Sequence, residues 1–279
     1  LTARFSAGAE SFTAVVENAD SRPQWFCQVT HQAEEKSARF TFLVAHSLAD
    51  DQGLPALWDA LCSQSGEMGA LNVLVELEEN SQLFDSLRKA GFTPYGWEAA
   101  WRLPSGGDST RTTDKYWKIA QPADESAIRA LYQSLVPPIV QAAEGLTNGG
   151  SRRLVYRKEQ ELLAYIECAN GPKGVYLKPL IHPAVTDLHP ILADLAAQFS
   201  DLGQPVYMQV RSYQAWLLDA LQNMGAEASD HFTLLVKHLA ILQRNGVTVS
   251  QRQMKENRQV EPSTSIVQNI LQAKSPRKP

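Results

Sequence analysis

The sequence predicts an α/β (α+β) protein made of two similar mixed-sheet domains in tandem, the first N-terminally incomplete. Three observations carry this. Runs of β-formers alternate with helical-period segments along the chain, without the long one-type stretches of an all-α or all-β protein. The glycines that close helical segments recur at one offset: Gly69 and Gly203 are 134 residues apart, as are Gly91 and Gly225, and the same offset superposes Leu61 on Leu195, Leu83 on Leu217 and Leu87 on Leu221. A fixed offset without gaps is the mark of an internal duplication. Finally, residues 104–115 (PSGGDSTRTTDK) hold no apolar residue after their first proline and read as a linker. The expected organisation is a first domain over 1–103, a linker over 104–115, a second domain over 116–243 and a basic tail over 244–279.

The elements follow in order. Residues 12–17 (FTAVVE), 25–30 (WFCQVT) and 39–45 (RFTFLVA) are β-rich and separated by turn-rich segments, so they predict an antiparallel meander. Leu54, Leu57, Trp58 and Leu61 have the spacing of a helix with one buried face, closed by Gly69. A short strand over 73–77, a helix over 81–89 ending at Gly91, and an aromatic strand over 92–103 complete the first series. The second runs strand 117–120, helix 124–135, strands 153–157, 162–168 and 175–181, helix 187–199, strand 206–210, helix 213–224 and strand 232–239. Subtracting 134 from Trp117 gives a negative number, so the first series has no room for its opening strand and helix; with Leu1 in place of Met, this predicts a missing start.

Composition excludes several classes. With 44% hydrophobic and 20% charged residues, the chain has a globular balance, not that of a disordered or fibrous protein. No apolar run approaches ~18 residues, so no helical membrane span is expected, and the first ten residues are not a secretory signal. Cys27, Cys62 and Cys168 form no CxxC pair, which argues against a disulfide framework or thiolate zinc site and suits the cytoplasm. The net charge of −4 is divided unevenly: residues 244–279 carry +5 and the rest −9. A phosphate backbone would be repelled by such a body, which disfavours nucleic acid. Within the tail, Ile266, Val267, Ile270 and Leu271 lie at helical spacing between Ser263 and Ala273, a candidate docking helix for a protein partner.

Residues 83–92 (LFDSLRKAGF), preceded by an acidic strand end and Asn80, resemble the late half of a GCN5-related N-acetyltransferase (GNAT) domain, in which a strand is followed by Asn, a helix and a Gly-Phe entering the last hairpin. Trp101-Arg-Leu resembles the closing strand. The second series is similar from Trp117 to Leu239, including His182–Pro183 after the central strand. The resemblance implies a tandem acyltransferase fold, acetyl-CoA as the acyl donor and a small-molecule or protein amine as acceptor. It also implies two tests. A pyrophosphate needs converging backbone N–H groups at a helix start, and the family supplies them with Arg/Gln-x-x-Gly-x-Gly/Ala. Here the corresponding loops read DDQGLP (50–55) and HPAVTDLHP (182–190), neither with that glycine spacing. The family's proton-donating Tyr, four residues before the Gly of Gly-Phe, is replaced by Leu87 and Leu221. No catalytic residue is therefore assigned. Asn80 matches the family's Asn, and the strand edge at Leu180, Ile181 and His182 is where an extended pantetheine would pair with backbone alone. These four are the candidate cofactor-binding residues. The two functional readings are a GNAT-like acyl-CoA binder with eroded catalytic motifs and a non-catalytic binding or assembly module that keeps the fold.

Other polar groups have simpler readings. His182, Asp187 and His189, and the pair His231 and His238, lack metal-ligand spacing, so no metal is assigned. Tyr213 is the best polar candidate in the second series but reads equally as a buried aromatic beside Trp216. Arg152 and Arg153 at a strand start read as solvated.

Overall fold

The computed structural model describes residues 9–17, 23–33, 35–45, 53–104, 116–146, 152–171, 173–200 and 203–239. Contacts divide the chain into Leu1–Ile241 and Leu242–Pro279. The second unit, with the docking helix expected between Ser263 and Ala273, lies outside the described residues, as do the linker beyond Pro104 and the loop 46–52. The first series forms β1 (Ala9–Glu17), β2 (Pro23–Gln32), β3 (Ser37–Ala45), α1 (Leu54–Glu67), β4 (Asn72–Glu78), α2 (Phe84–Lys89) and β5 (Thr93–Arg102). The second forms β6 (Trp117–Ile119), α3 (Glu125–Leu135), α4 (Pro138–Ala143), β7 (Arg152–Lys158), β8 (Glu161–Gly171), β9 (Gly174–Ile181), α5 (Leu188–Ser200), β10 (Val206–Arg211), α6 (Leu218–Asn223) and β11 (Glu227–His238).

Helix α4 is absent from the sequence reading. That reading places no element between 135 and 153, but proline is at home in a helix's first turn, where its missing N–H has no partner to lose, and Val140 and Gln141 donate back to the Pro137 carbonyl. The expected helix 213–224 is instead a 3-10 segment, Ser212–Leu217, followed by α6, with Gln214 at non-helical angles inside it.

The glycine repeat is a repeat of helix caps. After α1, Ala70 N–H reaches Ser65 O and Gly69 N–H reaches Gly66 O; the same pair of bonds closes α2 through Phe92 and Gly91, and α6 through Ala226 and Gly225. This double closure needs a left-handed residue, and Gly69, Gly91 and Gly225 have φ of 94°, 90° and 79°. Helices α1 and α2 begin 134 residues before α5 and α6.

The eleven strands among the described residues form one sheet in the order β1-β2-β3-β4-β11-β5-β10-β9-β8-β7-β6. The first three make the expected antiparallel meander. Strands β3 and β4 run parallel, as do their counterparts β9 and β10. The last strand of each series crosses over: β11 pairs with β4, β5 pairs with β10, and the two pair with each other at the centre. The alternation of side chains along each strand divides the core by face. Val73, Val75 and Leu77 turn to the front, under α1 and α2, and Leu154, Ile166 and Met208 turn to the front under α5 and α6. Leu74, Leu234, Val155 and Tyr165 turn to the back, under Ile128 and Leu131 of α3 and Val140 of α4. Helices α3 and α4 have no described counterpart in the first series, and α4 is shared: its last carbonyls, Ala142 and Ala143, accept hydrogen bonds from Asn72, and Ala143 also from Ser37.

Candidate functional site

Two wedges open where parallel strands part. In the first half, pairing of β3 with β4 stops at Arg39↔Leu74. In the second, pairing of β9 with β10 stops at Leu177↔Met208. The two wedges differ in what fills them.

The second wedge is stapled shut. The Gln214 side chain, 1% exposed, accepts the Arg211 N–H at 3.1 Å and donates to the Pro179 carbonyl at 2.6 Å. Along the β9 edge facing β10, residue 179 is therefore doubly withdrawn, its carbonyl bonded and its N–H absent because it is proline. Leu180 is buried and lines a back-face cavity of only about 90 Å³, and Ile181 is fully buried in the front core. His182 N–H donates to Leu163 O, and its Nδ1 accepts the Ala184 N–H. The expected edge Leu180, Ile181 and His182 thus lies at a wedge with little free volume, against the ~300–1,000 Å³ of ordinary ligand pockets.

The first wedge has a pocket on each face of the sheet. A front pocket of about 370 Å³ is lined by Trp25, Phe42, Leu43, Trp58, Leu83 and Leu87, among others, and a back pocket of about 390 Å³ by Ser11, Thr30, Gln32, Glu35, Arg39 and Leu74. Phe40, Thr41 and Glu76 line both. Strand β3 is bulged at this point: Val29 pairs with Phe40 and Gln28 with Phe42, so Thr41 is the extra residue, left out of the ladder. Phe40 holds the wedge open by stacking on Trp58, with ring centroids 5.7 Å apart, and by an edge contact with Phe92. Asn80 stands 134 residues before Gln214. One methylene shorter, it remains exposed in the turn before α2 and does not line the front pocket, so among the described residues no side chain staples this wedge as Gln214 does the other. The neighbouring Ser81 hydroxyl, not Asn80, accepts the Leu83 N–H of the first turn.

Beside the second wedge, a buried charge network ties the halves together. Glu144 accepts from Tyr95 Oη at 2.5 Å and from both Arg211 terminal nitrogens at 2.8 and 3.3 Å, with Arg39 3.5 Å away. Burial alone would raise the Glu144 carboxyl, but Arg211 and Arg39 hold it down at about 2. Glu98 has Arg211 Nε at 2.8 Å, outside hydrogen-bond alignment, and burial raises it to about 7 despite that contact. None of these contacts was legible in the sequence, where 49 to 113 residues separate the partners. Tyr213 lines the small cavity, and burial raises its hydroxyl to about 12. Arg153 pairs with Glu125 at 2.6 Å, and Arg152 bonds Gln198 and lies over the Phe199 ring. Among the described residues there is no group of three or more His, Cys, Asp or Glu placed to hold a metal, and no helix is long and apolar enough to cross a membrane.

No family model matches the sequence, and no curated protein matches it. Solved structures do match by shape. A tandem GNAT protein from the clavulanic acid biosynthesis pathway superposes with a TM-score of 0.52 at 13% identity, covering 85% of this chain and 86% of its own. A GCN5-related N-acetyltransferase from Sphaerobacter thermophilus gives 0.51 at 11% identity, covering 81% of each chain. A functionally unknown conserved protein from Staphylococcus epidermidis gives 0.52 at 10% identity, covering 73% and 85%. With two copies of the strand-helix order, parallel strands that part into wedges, and last strands that cross between copies, the chain has the tandem GNAT fold.

Proposed function

We propose that the chain binds an acyl-CoA in the first wedge and presents its acyl group to an amine entering from the back face. The observation that carries this reading is the pair of pockets meeting at Phe40, Thr41 and Glu76, which gives donor and acceptor separate approaches to one point. The residues present fit the pantetheine arm. The front pocket is of ligand size, its walls are apolar and aromatic, and the unpaired β3 edge beyond Arg39 offers main-chain groups to an amide chain. Bound there, acyl-CoA supplies an acyl group already activated as a thioester. Glu76, which lines both pockets, holds the incoming ammonium and accepts its proton. The Thr41 backbone, which the bulge takes out of register with β2, is the group we assign to polarise a carbonyl in the slot, where one such donor is worth ~10²–10³-fold. The departing thiolate has no tyrosine to protonate it: Leu87 and Leu221, which stand at that position, are buried at 1% and 0%. Lack of a general acid costs ~10²–10⁴-fold, so turnover is slow.

That same pair of leucines favours the second reading, a non-catalytic binding module. The two separate in one experiment. Calorimetry with CoA and acetyl-CoA should show binding that Thr41→Trp, which fills the wedge, abolishes. Colorimetric detection of free CoA thiol in the presence of an amine then reports transfer. Binding without thiol release selects the module. Absence of binding at millimolar CoA, or binding that survives Thr41→Trp, overturns both uses of the wedge. The buried free cysteines, with Cys27 and Cys168 thiols raised to about 12 by burial, suit a reducing compartment such as the cytoplasm.

A further inference from the structure

The back pocket of the first wedge has a composition that selects among amines, and it rests on the reading above only for its role as the acceptor side. Its charged groups are Glu35, Arg39 and Glu76. Arg39 is already compensated, lying 3.9 Å from Glu35 and 3.5 Å from Glu144. A carboxylate or phosphate on a ligand would therefore meet a cation whose charge is spent, and two acids beside it. Glu76 is the opposite case: it is exposed, lines both pockets, and has no cation at ion-pair distance among the described residues. The remaining polar wall is a ladder of hydroxyls crossing three strands. Ser11 Oγ lies 3.2 Å from Thr30 Oγ1, which lies 2.8 Å from Thr41 Oγ1, with Gln32 on the same wall. Hydroxyls both donate and accept, so such a row matches a ligand that does the same at several neighbouring positions. The volume of about 390 Å³ admits a molecule of monosaccharide size.

We infer that this pocket binds a hydroxylated primary amine of amino-sugar size, its ammonium on Glu76 and its hydroxyls along Ser11, Thr30 and Thr41. Zwitterions and phosphorylated amines are disfavoured by Glu35 and by the compensated Arg39. Amines without hydroxyls leave the ladder unmatched.

Calorimetry on the full chain without CoA tests this with four probes: D-glucosamine, D-glucose, cyclohexylamine and L-serine. D-Glucosamine should bind at least tenfold more tightly than each of the others. Glu76→Gln should lower its affinity at least tenfold, to that of D-glucose, and Thr30→Val should weaken D-glucosamine several-fold while leaving cyclohexylamine unchanged. Both side chains lie at the surface of the pocket, and circular dichroism checks that each variant is folded. The inference is overturned if no probe binds at millimolar concentration, if cyclohexylamine or L-serine equals D-glucosamine, or if Glu76→Gln has no effect. A separate CoA titration distinguishes the two proposals. CoA binding without D-glucosamine binding removes this inference alone, and the reverse removes the acyl-CoA reading while the amine site stands.

Discussion

Replacing Glu144 by Gln should destabilise the fold in a pH-dependent way. The amide would keep the shape and one acceptor but leave Arg211, buried between the halves, with Glu98 as its remaining acid. Breaking one partner of a buried pair costs ~3–5 kcal/mol. The pKa of Glu144 gives an independent figure. Burial opposes its charge, yet Arg211 and Arg39 bring it from 4.5 to about 2, and at ~1.4 kcal/mol per unit that is ~3 kcal/mol. The side chain is 13% exposed, so solvent screening leaves most of this in place. Because the folded pKa is depressed, the contribution is present above the unfolded value of 4.5 and is lost as pH falls toward 2. Urea denaturation of wild type and Glu144→Gln should therefore differ by ~3 kcal/mol at pH 7 and by roughly half that at pH 3. Glu98 titrates with the opposite sign: its folded pKa is raised to about 7, so its favourable term is lost as pH rises through that value. The comparison at pH 3 lies below its window. A difference under ~1 kcal/mol at pH 7, or one equally large at pH 3, would refute the assignment of Glu144 as the charged hub.

Two further outcomes are expected. Asn72→Ala removes both the Nδ2 donor that caps the Ala142 and Ala143 carbonyls and the Oδ1 that accepts from His238 Nδ1 at 2.7 Å; a loss of ~1–3 kcal/mol in urea denaturation, with amide exchange accelerated in α4 more than in α1, is the expected result. Gly225→Ala places a Cβ where nothing lies within 4 Å but φ is +79°, so its cost is backbone strain alone, ~1–2 kcal/mol by thermal denaturation, and Gly225→Asn should recover part of it.

What the sequence discloses and what it conceals divide by range. Helix caps and side-chain alternation are local, so the duplication was legible: a left-handed cap needs glycine, and the caps recur at 134. The crossing of β5 and β11 between copies is not local. Both strands read correctly as strands, but which neighbour each takes depends on shape far away in the chain. The state of the two wedges was legible in principle, by comparing the copies with each other instead of with a family. Asn80 in the first copy stands where Gln214 stands in the second, and the added methylene lets Gln214 reach the Pro179 carbonyl and staple the strands. The same comparison sets Phe232, opposite Glu78, against Glu98, opposite Arg211, so at this position one copy keeps an apolar residue and the other carries a charge. Within a duplicated fold the apolar member is what packing at that position asks for, and a buried charge there survives only if paired. Glu98 has its partner in Arg211, at 2.8 Å, and with Glu144 they form the joint between the halves. Departure from the sibling copy is therefore the signal for acquired roles. On that criterion the second copy has closed its wedge with Gln214, while the first, with its shorter Asn80, keeps pockets of about 370 and 390 Å³.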